Sequence, residues 1–155
     1  MPSQFELAVT RWAKKVQGKV DTRVRQIQFT LFRGIILSTP VDSGRARGNW
    51  QTTVDYPTRL TTERLDPTGA NAIAEAKAFG GGAGKVTYLS NNLPYIAVLE
   101  YGLYPNPPKS GRTIKGVSYG LNTINGFSRQ APAGMVRINM ARIQDIIRDA
   151  KNVEL

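Results

Sequence analysis

The sequence predicts one α+β domain: a long N-terminal helix and a C-terminal helix packed on one face of an antiparallel β-sheet. Three observations carry this. Apolar residues recur every three or four positions at both ends of the chain, the middle shows short alternating runs, and glycine and proline separate the two patterns. At 155 residues the chain is most simply a single domain spanning 1–155, able to bury roughly 70% of its unfolded surface.

The first helix is expected over residues 3–38. Ser3 and Glu6 form a capping box, and Phe5, Val9, Trp12, Val16, Val20, Val24, Ile27, Leu31 and Ile35 make one continuous apolar stripe. Arg11, Lys14, Lys15, Lys19, Arg23, Arg25 and Arg33 give it a basic outer face, a pattern that a membrane-surface helix would share. Gly18 and Gly34 mark places where it could bend. Pro40 stops the helix and pushes Thr39 into an extended conformation. Asp42 and Ser43, bonding back to nearby N–H groups, and Gly44, free to take positive φ, predict a tight turn. Arg45 and Arg47 then alternate with Ala46 and Gly48, which reads as a strand entering a sheet edge with one basic face.

That strand is expected over 47–56, with Trp50, Thr52, Val54 and Tyr56 on one face and Pro57 ending it. Residues 57–70 read as a loop or edge strand, and Ala70–Phe79 as a short alanine-rich helix. The run Phe79-Gly80-Gly81-Gly82-Ala83-Gly84-Lys85 superficially suggests a phosphate loop. A Walker loop needs glycine five positions before Gly-Lys and Ser or Thr after it, where this chain has Phe79 and Val86, so a hinge leading into a strand over Val86–Ser90 is the better reading. Asn91, Asn92 and Pro94 turn the chain again. Pro94 and Gly102 favour one or two helical turns over Tyr95–Tyr101, with a strand as the alternative; on helical geometry Tyr95, Ile96 and Leu99 point inward and leave Glu100 free. Residues 103–128 form a basic, proline- and glycine-rich loop carrying Lys109, Arg112 and Lys115, with a hairpin around Thr113–Tyr119 as the alternative. The second helix is expected over 131–153, with Val136, Met140, Ile143, Ile147 and Ala150 on one face.

Composition narrows the function. The chain has neither cysteine nor histidine, which removes disulfides, thiolate nucleophiles, the usual zinc sites and the commonest general base, and argues against most enzymes. No cofactor is expected. Net charge is +10, and residues 1–40 hold seven basic and two acidic side chains, a net +5, so polyanionic surroundings are favoured: nucleic acid or an acidic protein surface. No apolar run approaches the ~20 residues needed to span a bilayer, and the N-terminus lacks a signal-peptide layout, so a protein made and used in a cytoplasm, away from membranes, is expected.

Three stretches carry a resemblance. Thr39-Pro40-Val41-Asp42-Ser43-Gly44-Arg45-Ala46-Arg47-Gly48-Asn49-Trp50, Tyr95-Ile96-Ala97-Val98-Leu99-Glu100-Tyr101-Gly102 and Gly126-Phe127-Ser128-Arg129-Gln130-Ala131-Pro132-Ala133-Gly134-Met135-Val136-Arg137 resemble, in order, the signature segments of bacteriophage tail-completion or head–tail joining (neck) proteins. Together they cover about a quarter of the chain and span most of its length. The second and third blocks, which can lie almost adjacent in that family, are separated here by residues 103–125.

The resemblance implies a structural virion protein of the neck, made in the bacterial host cytoplasm, without enzymatic activity. It implies a homo-oligomeric ring between the head connector or adaptor and the tail tube or tail terminator protein, with DNA passing transiently through its channel. It would place Pro40, Asp42, Gly44, Arg47, Trp50, Tyr95, Glu100, Tyr101 and Gly102 at the structural corner and subunit interface, with Arg47 as the candidate ion-pair partner of Glu100; a solvated Glu100 is the alternative. Arg11, Lys15, Lys19, Arg45, Lys109, Arg112 and Lys115 are the candidate residues facing DNA or a partner, holding phosphates without reading sequence. The alternative function is a free, non-specific nucleic-acid-binding protein, suggested by the charge, Trp12, Trp50 and the tyrosines, although no recognised binding motif is present. A metal-dependent nuclease would need Asp42, Asp55, Glu63 and Asp66, which have no motif spacing.

Overall fold

A computed structural model describes residues 1–106, 113–114, 117–118 and 122–151. Helix α1 runs over Gln4–Ser38, begun by the expected capping box: the Ser3 N–H donates to Glu6 Oε2 at 2.6 Å and the Glu6 N–H to Ser3 Oγ at 3.2 Å. It is followed by α2 (Arg45–Gly48), β1 (Gln51–Val54), α3 (Ala70–Phe79), β2 (Thr87–Ser90) and α4 (Ile96–Tyr101). Next come the short strands β3 (Thr113–Ile114), β4 (Val117–Ser118), β5 (Thr123–Ile124) and β6 (Phe127–Ser128), then α5 (Val136–Ala141) and α6 (Ile143–Lys151). The architecture is α+β, with its strands in three separate antiparallel pairs. No described helix is long and apolar enough to cross a membrane.

The main pair, β1–β2, sets Thr52 opposite Leu89 and Val54 opposite Thr87. Its inner face meets the C-terminal half of α1 and the small face of α3. Phe32, Ile35, Ile36, Trp50, Ala72 and Ala76 are the buried centre, with Phe29, Leu31, Ile73 and Leu89 packed around them. Alanines at 72 and 76, one turn apart, let α3 approach α1 closely. A second cluster joins Ala46, Leu93, Leu99, Ala131 and Met135, and Ile96 touches both. Helices α5 and α6 lie against α1.

Several expectations change. Residues 45–48 are one turn of helix rather than the start of a strand, because the Gly48 and Asn49 N–H groups close onto the Gly44 and Arg45 carbonyls. The alternation of arginine with small residues lacked the apolar half that a half-buried strand needs. β1 therefore covers only 51–54; Asp55 takes φ 69° and turns Tyr56 outward. The C-terminal helix is two helices that begin at 136 rather than 131. Gly134 at φ 83° makes the preceding turn, and the chain breaks at Arg142, whose N–H bonds back to Asn139 O. The expected end of that helix at 152–153 lies outside the described residues, as do 107–112, 115–116 and 119–121 of the loop expected over 103–128. Within that loop, β5–β6 is a two-residue hairpin closed by Asn125 and Gly126 at φ 51° and 82°, the geometry of a type I′ turn.

The largest departure concerns α1. At 35 residues it is about 52 Å long, yet every residue from 1 to 20 is exposed and only Phe32, Ile35 and Ile36 are buried. The body begins to hold the helix near its middle. Asp21 Oδ1 accepts from the Ala83 N–H at 2.9 Å, Arg25 Nη1 donates to Gly80 O at 2.8 Å, and Thr87 Oγ1 donates to Gln28 at 3.4 Å. The glycine-rich run is thus a clasp around α1: a Cβ on Gly82 would lie 1.6 Å from Asp21 Oδ1.

The two helix glycines separate these halves experimentally. Nothing stands within 4 Å of a Cβ added at Gly18, whereas at Gly34 it would lie 2.3 Å from Asn139 Oδ1. Gly18→Ala is expected to raise helix content and favour α1 by about 1 kcal/mol locally. Gly34→Ala is expected to cost about 1–3 kcal/mol in urea unfolding followed by circular dichroism.

Candidate functional site

Thr39, where α1 ends, is the centre of the corner. Its Oγ1 donates to Ile35 O at 2.9 Å and accepts the Trp50 indole N–H at 2.7 Å, both buried. Its carbonyl accepts from Arg47 Nη2 at 2.8 Å and from Nε at 3.3 Å; Arg47 also reaches Leu37 O at 3.0 Å and Pro67 O at 2.7 Å. The last turn of α1 contains no cation of its own, so Arg47 supplies the positive charge that free C-terminal carbonyls attract. Burial pulls the guanidinium below its ordinary value, and the neighbouring Asp66 charge offsets part of that.

Residues 58–68 strap this corner from outside. Asn49 exchanges hydrogen bonds with the Thr62 backbone at 2.8 and 2.9 Å. Arg64 reaches Gly48 O, Trp50 O and Glu75, and Glu75 in turn accepts from the Thr52 N–H. Gly44, at φ 86°, and Gly48 have no room for a Cβ, which would fall 2.4 Å from Pro67 N and 2.3 Å from Arg64 O. Asp66 is buried and accepts the Asn71 and Ala72 N–H groups at 2.9 and 3.1 Å, holding the start of α3.

Glu100 is not the free carboxylate expected, and its partner is not Arg47. It is buried, accepting the Met135, Val136 and Arg137 N–H groups at 2.6, 2.8 and 3.0 Å and Arg137 Nε at 3.2 Å. Arg137 Nη2 donates back to Glu100 O at 2.7 Å, and its guanidinium lies 5.1 Å from the Tyr101 ring centre. Burial raises the carboxyl's pKa, but the three backbone donors and Arg137 together outweigh it and hold Glu100 below its ordinary 4.5. The sequence pairing failed because each arginine was closer to a helix end that needed it.

The remaining expected residues divide by position. Pro40, Asp42, Arg45 and Tyr95 line an open cleft of about 460 Å³ with Gln130 and Arg129. The Gln130 amide bonds both the N–H and the carbonyl of Val41 at 2.8 Å, tying the third block to the first as a strand neighbour would. Asp42 is exposed and makes no hydrogen bond among the described residues; it is Ser43 Oγ that accepts, from the Arg45 N–H at 3.4 Å. Burial raises the Tyr95 phenol, with Arg45 acting against it. Tyr101 is exposed beside Arg137. Gly102, at φ 66°, ends α4 against the Phe127 ring, where a Cβ would lie 2.4 Å from the nearest ring carbon.

Arg45 pairs with Glu63 at 3.1 Å on the surface. Arg11, Lys15 and Lys19 are exposed on the free half of α1, and Lys109, Arg112 and Lys115 lie outside the described residues. The four carboxylates of the nuclease reading are dispersed in role: Asp66 holds α3, Glu63 meets Arg45, Asp55 meets Lys85 at 3.6 Å, and Asp42 faces the cleft. The site residues that sequence reasoning missed are Arg137, Gln130 and Phe127. The Asn125-Gly126 pair was the available signal for the hairpin that presents Phe127. Arg137 and Gln130 both stand in the third resembling block, but nothing in their spacing shows what either one bonds.

Replacing Arg47 by lysine keeps a charge but cannot span three carbonyls with a planar fork. Arg47→Lys is expected to cost about 2 kcal/mol in urea unfolding. Glu100→Gln is expected to cost about 2–3 kcal/mol at pH 7. Because the folded pKa of Glu100 is depressed, its contribution is complete above the unfolded-chain value and is lost as pH falls through the folded one. The stability gap between wild type and Glu100→Gln should therefore close on acidification below 4.5, measured as urea midpoints across pH. Comparison of the chain with protein-family models, curated sequences and solved structures finds no match.

Proposed function

We propose that this chain is a structural protein of the neck of a tailed bacteriophage, a tail-completion protein whose copies form a ring joining the head connector to the tail and leaving a passage for DNA. One observation carries the reading. The three segments that resemble the neck family lie far apart in the chain, yet they fold against one another around one cleft: Pro40–Arg45 from the first, Tyr95 and Leu99 from the second, Ser128–Gln130 from the third. Their shared residues serve shape. Gln130 ties Val41, Glu100 holds Met135–Arg137, and Ala46, Leu99, Ala131 and Met135 share one core. Glycine, proline, arginine and carboxylate positions that set shape in this way suit an interface scaffold, with no reacting atom required.

The free non-specific nucleic-acid-binding reading rests on Arg11, Lys15 and Lys19, three exposed cations at successive turns of α1. On the neck reading the same flank faces the passage or a neighbouring subunit.

An early stop codon in the gene, with the resulting particles viewed by electron microscopy, tests the proposal. Filled heads and finished tails lying unattached are expected. Normally joined particles would overturn it, and salt-titrated DNA binding by the purified protein would then test the alternative.

A further inference from the structure

The free half of α1 is the largest feature that the fold itself does not use. Phe5, Val9, Trp12, Val16 and Val20 are 76, 47, 67, 39 and 47% exposed, in a stretch, residues 1–20, that is exposed throughout. At about 100° per residue, Phe5 and Trp12 fall roughly opposite Phe32, the residue that faces the core. The stripe continues the side of α1 on which Gly34 and Ser38 meet Asn139 of α5, and its N-terminal part stands exposed.

The strip presents roughly 500 Å² of apolar surface, at the upper end for the largest patch on an ordinary monomer. Two such strips in contact remove about 1,000 Å², the lower bound for a specific interface. An isolated helix of this length also draws most of its stability from packing of its apolar face. The flanks indicate what covers it. Arg11, Lys15 and Lys19 lie along one side of the stripe, whereas Glu6, Ala13 and Gln17 lie along the other. In an antiparallel pair, like flanks meet and the cations oppose one another. In a parallel pair, unlike flanks meet, placing Arg11, Lys15 and Lys19 beside the neighbour's Glu6 side.

We infer that the occupant is a second copy of this chain: the Phe5–Val20 stripe packs side by side and parallel against the same stretch of a neighbouring α1, with the basic flank of one against the Glu6–Gln17 flank of the next. Parallel, side-by-side packing repeats around a rotation axis, so this deepens the ring reading above and rests on it for the closed ring, though not for the self-association.

The test uses the full-length protein, measured by sedimentation velocity up to its solubility limit. Wild type is expected to associate, and Trp12→Glu, at a position 67% exposed, is expected to be monomeric with an unchanged melting curve. Orientation is read by oxidation in a chain that has no native cysteine. Val9→Cys alone should form disulfide-linked dimers, whereas an antiparallel pair would cross-link only a mixture of Val9→Cys and Val16→Cys. A monomeric wild type overturns the inference, as does a Trp12→Glu variant that still associates or cross-linking confined to the mixture. If Trp12→Glu still assembles while the stop-codon phage yields unjoined heads and tails, the neck reading stands and this interface falls. If Trp12→Glu dissociates while the stop-codon phage assembles normally, the interface stands and the neck reading falls.

Discussion

The positive charge that Arg47 places on the last carbonyls of α1 is the contact on which the rest of the body depends. A 35-residue helix ends with free acceptors that must be met, and the chain reverses immediately at Pro40. Arg47 meets them from outside and, by also taking Pro67 O, draws in the strap that closes over Gly44 and Gly48. The same electrostatic logic appears twice more with the opposite sign. Asp66 receives the N-terminal donors of α3, and Glu100 those of α5. Three helix ends are thus tied by charges from distant parts of the chain, and these ties, rather than a large sheet, set how the helices lie.

This explains which parts of the fold were legible in the sequence. α1, α3, α4, β2 and the capping box are local: periodicity, alanine content, Pro94, Gly102 and the Ser3–Glu6 spacing specify them, and the structure keeps them within a residue or so. Two of the failures involve long-range contacts. Arg45–Gly48 alternates as a strand would, yet its own backbone bonds close a turn that Arg47 then anchors to distant carbonyls. The break before α5 follows from Glu100, 35 residues away from Met135, crowding Gly134. Long-range side-chain bonds to backbone leave no periodic trace, so Arg137 and Gln130 could not be singled out. The Asn125-Gly126 turn is different: its signal was local and its hairpin follows from ordinary turn chemistry.

The candidate site was partly visible in the same sense. The sequence marked Pro40, Gly44, Arg47, Trp50, Glu100 and Gly102 as special positions, and each proves to be one where geometry leaves little choice. What it could not supply was the wiring among them. An arginine and a glutamate in two signature blocks suggested a pair, but a buried carboxylate is better satisfied by three aligned N–H groups plus one guanidinium than by a single surface-bound fork.

The clasp formed by Gly80–Gly84 has a mechanical consequence. It grips α1 at Asp21 and Arg25, with Thr87 of β2 meeting Gln28 beside it, leaving about five turns on one side and the core-anchored Phe32–Ile36 segment on the other. Without an internal proline, a continuous helix transmits torque along its axis instead of absorbing it. Trp12 and Ile36 are about 36 Å apart along that axis, with the clasp between them as a fulcrum. Sideways load on the free arm therefore arrives, with opposite direction, at the floor beneath Trp50 and Thr39. Gly18, just outside the grip, is the point of least stiffness and sets how much of that load the body feels.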